Sequence, residues 1–285
     1  MSEEFAGRSQ RLVEIIALVA IVGALAILAV LYLDRSTGTP ARRTTCANNM
    51  RNVALAIIQY ENTHKEFPGF ANTVGSRTAS YVVPIFPILE RKDLLNAWEG
   101  DTVPFEELAA LNLEILTCPS DLTAVETPGP LSYVVNAGEA LRESAANGIF
   151  HDHTKPNAVT VSIDYVAQHD GTSFTLLVSE NLQAERWAVT HAHRAKLWTT
   201  FVWHRNLIPR NGRINAGKDA QQPIGSLEYA RPSSNHTGGV NVMFCGGNSR
   251  FIVDNIDYKV YRQLMTPNSA ESDDPAAAEI HEDSL

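Results

Sequence analysis

A run of 19 residues without a charge, Ile15 to Leu33, lies near the start of this 285-residue chain and is entered through Leu12-Val13-Glu14. At 1.5 Å of rise per residue, such a run is long enough to cross a bilayer core as an α-helix, so residues 12–33 are expected to form a transmembrane helix. A short segment, 1–11, precedes it. The run is longer than the apolar core of a secretory signal and no small-x-small cleavage site follows it, so a retained anchor is expected. Glu14 sits at the edge of the span, where a carboxylate either snorkels beside Arg11 or serves a purpose that needs it there. Charge does not orient the span, because Arg8 and Arg11 precede it while Arg35, Arg42 and Arg43 follow it.

Beyond the span, Asp34 to Pro40 is rich in Ser, Thr, Gly and Pro and is expected to interrupt the helix, with 34–45 as a linker. A second helix is expected from about Ala47 to Thr63, where Met50, Val53, Ile57 and Tyr60 share one face, ending before Phe67-Pro68-Gly69. Tyr81 to Leu89 reads as an irregular segment or short helix because of Pro84 and Pro87. Glu106 to Leu116 reads as another short helix. From Ser132 onward the pattern shortens to strands, at Tyr133–Asn136, Val159–Ile163, Thr175–Ser179, Trp198–Trp203, Val240–Phe244 and Ser249–Val253. Asp170-Gly171 and Gly246-Gly247 supply turns, the second closing a hairpin with positive φ available at both glycines. Asn181 to Arg231 reads as an insertion on the sheet, and 267–285 as an acidic disordered tail.

Net charge is −9 and the isoelectric point near 5.5. That balance argues against a nucleic-acid partner, which needs a concentrated Lys/Arg surface. Three cysteines permit one disulfide, and the pair expected is Cys46 with Cys118, since Cys245 falls in an apolar run that reads as a buried strand. Three buried free thiols are the alternative.

Several runs recur together, in order, in one known group. They are Arg43-Thr44-Thr45-Cys46-Ala47-Asn48-Asn49-Met50-Arg51-Asn52, Phe67-Pro68, Thr117-Cys118-Pro119-Ser120-Asp121, Ser132-Tyr133, and Asp170-Gly171-Thr172-Ser173 ending in Glu180. By these the chain resembles the DUF1559 family, pseudopilin-like proteins abundant in planctomycetes, over roughly residues 9 to 266. The family closes on a histidine, nine residues and Asp-Gly; here His236 is followed after nine residues by Gly246-Gly247, with glycine in place of the aspartate. The resemblance implies a prepilin-type N-terminal helix and an extracytoplasmic pilin-like head, 46–266, with an amphipathic helix and an antiparallel sheet, an α+β fold. It also implies that Glu14 pairs with a neighbouring subunit's N-terminal amine during assembly. The family's Gly-Phe at the processing site is Ser9-Gln10 here.

His151-Asp152-His153 and His191-Ala192-His193 each place two imidazoles on one side of an extended chain, a geometry that suits zinc with a third ligand. The pairs are 40 residues apart in polar surroundings, so no metal and no cofactor is assigned. An enzyme would use such a metal with Asp152 or Glu180 as base, but metalloprotease, nucleophile-elbow and phosphate-loop signatures are all missing. Asp170 is expected to cap its own turn and His236 to fix the turn before the last hairpin. The reading is therefore a non-enzymatic, single-pass protein of the inner membrane, a component of a type II secretion or pilin-like assembly, with the lipid bilayer and other pilin-like subunits as partners. The alternative is a membrane-tethered module binding a glycan or peptide through Trp187, Trp198 and Trp203.

Overall fold

The computed structural model describes residues 2–100, 103–205, 214–218, 227 and 230–273, without the side chains of residues 2–16, 26–40 and 125. The chain divides into two units, Met1–Thr44 and Thr45–Leu285. The first is entirely helical over its described residues, and it belongs to one helix, α1, Ser2–His64. The expected interruption at Asp34 to Pro40 and the separate second helix are thus corrected: both segments lie inside α1. A proline forfeits one backbone bond at a cost of about 3 kcal/mol, while good helix-forming stretches on either side extend a helix without a second nucleation. Among the described residues no helix is long and apolar enough to cross a membrane. Only residues 17–25 of the expected span have described side chains, and Glu14's side chain lies outside the described set.

The second unit is α+β. Its core begins on α1, where Cys46, Met50, Val53, Ala54 and Ile57 are fully buried at helical spacing and Tyr60 is half-buried. His64 ends the helix and Lys65, at φ +64°, turns the chain out of it. A two-stranded hairpin follows, β1 (Ala71–Val74) with β2 (Arg77–Ser80). Then come short helices α2 (Val82–Ile85), α3 (Lys92–Gly100) and α4 (Phe105–Ala109), and single 3-10 turns at Glu114–Leu116 and Thr123–Val125.

The main sheet has the order β5-β3-β4-β6-β7, built from β3 (Tyr133–Glu139), β4 (Leu176–Glu180), β5 (Thr200–Trp203), β6 (Gly239–Phe244) and β7 (Ser249–Val253). All its pairs are antiparallel except β3 with β5, so the sheet is mixed. The parallel pair requires a crossover, supplied by α5 (Ile163–Gln168), β4 and α6 (Ala192–Thr199). Of the strand expected at Val159–Ile163, residues 159–162 carry no regular structure and Ile163 opens α5, which Ser162 caps by accepting from the Tyr165 amide; Trp198 and Thr199 close α6 ahead of β5. Where β3 runs beside β5, three steps from Asn136 to Glu139 oppose two from Phe201 to Trp203. That bulge is held by Gly138 at φ +73°, whose missing Cβ would stand 2.4 Å from the Asn147 carbonyl oxygen.

Helix α7 (Tyr258–Met265) is capped by Asp257, and residues beyond it do not drift free. Asn268 and Ser269 are buried, and Asp273 accepts from Asn147 and pairs with Arg205 and Arg142. The expected tail from residue 267 is corrected to this extent, because 267–273 is docked; 274–285 lies outside the described residues.

Candidate functional site

Cys46 stands where α1 enters the core, and Cys118 where the 3-10 turn at Glu114–Leu116 hands over to a turn closed by the Asp121 amide on the Cys118 carbonyl. The two are joined by a disulfide. Polar bonds fasten the same junction. Asn49 Nδ2 donates to the carbonyls of Glu114 and Thr117 at 3.0 and 3.2 Å, and the Tyr133 hydroxyl donates to those of Cys46 and Thr117 at 3.1 and 3.2 Å.

Glu180 is the last residue of β4 and approaches the disulfide from the sheet. Its Oε2 accepts from the Asn241 amide at 2.8 Å, and its Oε1 accepts from Asn241 Nδ2 at 3.2 Å. Asn241 thus holds both oxygens of the carboxylate, just beyond the last paired residues of β4 and β6. His236 precedes β6, its amide donating to Ser234 Oγ, whose hydroxyl in turn donates to the Gly239 carbonyl. The ring does not brace that turn, as expected from the sequence, but reaches inward. Its Nε2 lies 3.0 Å from Glu180 Oε1 and 3.6 Å from Cys118 Sγ. Cys46, Cys118, Glu180 and His236 are all buried, and one potential ligand atom from each lies within 4.8 Å of the others.

Asp121 forms the outer wall. Its Oδ1 accepts from the Thr123 amide and hydroxyl, and its Oδ2 accepts from Ser132 Oγ at 2.7 Å. Burial nevertheless raises its pKa above the ordinary carboxylate range, outweighing those bonds. Between Asp121 and Glu180 lies a cavity of about 10 Å³, room for about one water, also lined by Cys118, Ser132, Asn181 and Ser233. Asn181 Nδ2 is buried beside it without a partner.

The runs that recur in sequence therefore meet in space. Cys46, Cys118, Asp121, Ser132, Tyr133, Glu180 and His236 share one centre, although their separations reach well over a hundred residues. Asp121 and Ser132 are not singled out by the sequence alone, and Glu180 only as the base an enzyme would use. Their membership of the recurring runs was the signal that could have found them.

Asp170 and Gly171 lie elsewhere. Asp170 does not cap its own turn. Its carboxylate accepts from the Ser269 amide at 2.7 Å and the Ser269 hydroxyl at 3.1 Å, tying the C-terminal segment to the end of α5, and burial raises its pKa. Gly171, at φ +90°, closes that helix through its amide on the Val166 carbonyl. Gly246 and Gly247 lie in the β6–β7 loop, where only Gly247 has positive φ, at +80°; a reverse turn from Phe244 to Gly247 precedes it. The positive φ open to both glycines is thus used at Gly247 alone.

The histidine pairs do not form a common ligand set among the described residues. His151 Nε2 bonds the Gly148 carbonyl and His153 Nε2 that of Val159, while His191 bonds Thr190 at the start of α6. The aromatic insertion is mostly core. Trp187 and Trp203 are fully buried, their indole N–H groups donating to the carbonyls of Leu111 and Asn147. Trp198 alone of the three is half-buried, stacked under Arg194 at 5.2 Å in an open groove with Glu185 and Arg186. Cys245 is a buried free thiol, its pKa raised by burial.

An α+β unit, Thr45–Leu285, in which a disulfide joins Cys46 of α1 to Cys118, defines the class of this protein. It belongs to the family described as Protein of unknown function (DUF1559), whose family model matches residues 39–259. Searches of curated proteins and of solved structures find no significant match.

Proposed function

We propose that the protein is a non-enzymatic, pseudopilin-like component of a type II secretion or pilin-like assembly, anchored in the inner membrane by residues 12–33 with its head outside the cytoplasm. The observation that carries this reading is the middle of the first unit. Residues 17–25 are all apolar and all exposed, with Leu18, Val19, Ile21, Val22 and Leu25 each 57–66% accessible on every side of the helix. Water does not tolerate such a surface, whereas lipid or neighbouring apolar helices satisfy it. The Cys46–Cys118 disulfide supports an oxidising compartment for the head. Glu14 would then sit at the start of the span to meet the amine of an adjacent subunit, the two charges offsetting each other's desolvation.

The tethered binding module retains Trp198 with Arg194 as its best surface, but two of its three tryptophans are committed to the core. The mature N terminus and intact mass, measured on protein extracted from native membranes, separate the two readings. A chain beginning at Gln10, whose oligomer crosslinks disappear in Glu14→Gln while membrane retention persists, is the expected result. A chain beginning at Met1, with no crosslinks that depend on Glu14, would overturn the assembly reading in favour of the tethered module.

A further inference from the structure

We infer that the disulfide centre is a redox-gated site for a zinc-like divalent cation, in which reduced Cys46 and Cys118 bind the metal together with His236 Nε2 and a Glu180 oxygen. A tetrahedral zinc with ordinary bond lengths sets its ligand atoms about 3.6 Å apart for sulfur to nitrogen and about 3.3 Å apart for nitrogen to oxygen. The observed Cys118 Sγ to His236 Nε2 separation is 3.6 Å and that from His236 Nε2 to Glu180 Oε1 is 3.0 Å. Two edges of the tetrahedron thus already stand close to the needed length. The edge between the sulfurs is the exception, because it is a covalent bond, and reduction frees it to open to about 3.8 Å.

One nitrogen of His236 faces both the sulfur and the carboxylate, the arrangement of ligands around a common point. A simple histidine–carboxylate pair needs only the second of these contacts. The surrounding shell is also in place: the Asn241 amide and side chain hold Glu180 through both oxygens, and such second partners orient ligands and tune affinity. Two thiolates, an imidazole and a carboxylate form a donor set suited to zinc rather than to calcium or magnesium.

The chemistry balances in two steps. A phosphine or dithiol reductant delivers two electrons to the sulfur–sulfur bond, becoming phosphine oxide (with oxygen from water) or a disulfide, and the two cysteines leave as thiols. The metal then displaces the two thiol protons to solvent and coordinates His236 as the neutral ring protonated on Nδ1. The junction between α1 and the 114–121 loop would therefore be fastened by a covalent bond when oxidised and by a cation when reduced.

Full-length protein in detergent, treated with a water-soluble phosphine, desalted and titrated with Co²⁺, tests the site. Reduced protein is expected to take up one Co²⁺ with thiolate charge-transfer absorption and the intense visible bands of tetrahedral cobalt, lost again on adding Zn²⁺. Oxidised protein should show neither. His236→Gln and Glu180→Gln should each weaken binding by at least about tenfold. A folded, reduced protein without these bands overturns the inference, as do bands unaffected by either substitution, which would mean a site made of thiolates alone. Should reduction unfold the chain, Zn²⁺ must restore its circular dichroism and protect Cys46 and Cys118 from alkylation; a chain that stays unfolded and alkylated in Zn²⁺ also overturns it.

Discussion

Gly246 is the first of the two glycines in the β6–β7 loop, and its surroundings show what a carboxylate placed there would meet. The residue is not in the left-handed region, so a side chain meets no backbone strain there. A Cβ would lie 3.2 Å from Thr172 Oγ1 and 3.3 Å from Asn248 Oδ1, while the Gly246 amide already donates to the Thr172 carbonyl at 2.8 Å. Such contacts are tight, yet both side-chain neighbours can rotate, and the Thr172 hydroxyl can donate to a new carboxylate. Replacing glycine also lowers the entropy of the unfolded chain. Gly246→Asp is therefore expected to stabilise the head by about 0.5–1.5 kcal/mol, read as a higher denaturant midpoint at unchanged slope. The gain should disappear in the Thr172→Val background. A loss of stability in both backgrounds would show that the loop cannot make room. With glycine here the β6–β7 loop is tied to the segment before β4 by the backbone bond from the Gly246 amide to the Thr172 carbonyl.

At the scale of elements, the junction between α1 and the 114–121 loop joins a covalent link to several polar bonds. Met50, Val53, Ala54 and Ile57 bury one face of the helix, and the disulfide closes a loop of sequence separation 72 at its upper end. On the loop-entropy account, removing that link from the unfolded state costs about 4 kcal/mol. The double variant Cys46→Ser, Cys118→Ser should thus unfold at a markedly lower denaturant concentration, while Asn49 and Tyr133 continue to hold the helix to the loop in the folded state. An unchanged midpoint would mean that native-state strain or residual unfolded structure cancels the entropic gain. This helix face was readable in sequence because Met50, Val53, Ile57 and Tyr60 repeat at 3.6, and the β6–β7 hairpin because apolar alternation brackets a pair of glycines. The continuity of α1 through Pro40 was not, since local breaker residues dominate a short window while helix propagation acts over many turns. Nor was the parallel pairing of β5 with β3, which depends on a partner more than sixty residues away and leaves no local trace. The site itself was half legible: its residues stood in recognisable runs, but only folding shows that Glu180 and His236 turn toward the disulfide.

For the molecule as a whole, the same interior that satisfies most of its polar groups contains one that acid would charge at a cost. His151 is fully buried, with Nε2 on the Gly148 carbonyl at 3.0 Å and Nδ1 without a hydrogen-bond partner, 3.9 Å from Glu143. Burial lowers its pKa to about 4, with His153 and Lys196 adding in the same direction, and the attraction of Glu143 offsets only part of this. In the unfolded chain the ring titrates near 6.5, so between about 6.5 and 4 the unfolded state binds the proton and the folded state does not. Stability attributable to His151 is thus present above pH 6.5 and lost as pH falls toward 4, by at most about 3 kcal/mol. Asp121 and Asp170 work in the opposite sense, because their folded pKa values are raised by burial and their protonated forms favour the fold at the acid end. Asp273 adds a separate loss only at more acid pH, since its bonds to Asn147 and Arg205 lower its pKa from the ordinary carboxylate value and the stability they give disappears as pH falls through that lowered pKa. Thermal unfolding followed from pH 7 to 4 should therefore show a falling melting temperature. In His151→Gln the curve should be flatter across that interval, even if the variant begins lower at pH 7 for want of the ring's bond to Gly148. Parallel curves for the two proteins would move the acid sensitivity to the carboxylates and leave His151 charged in the folded state.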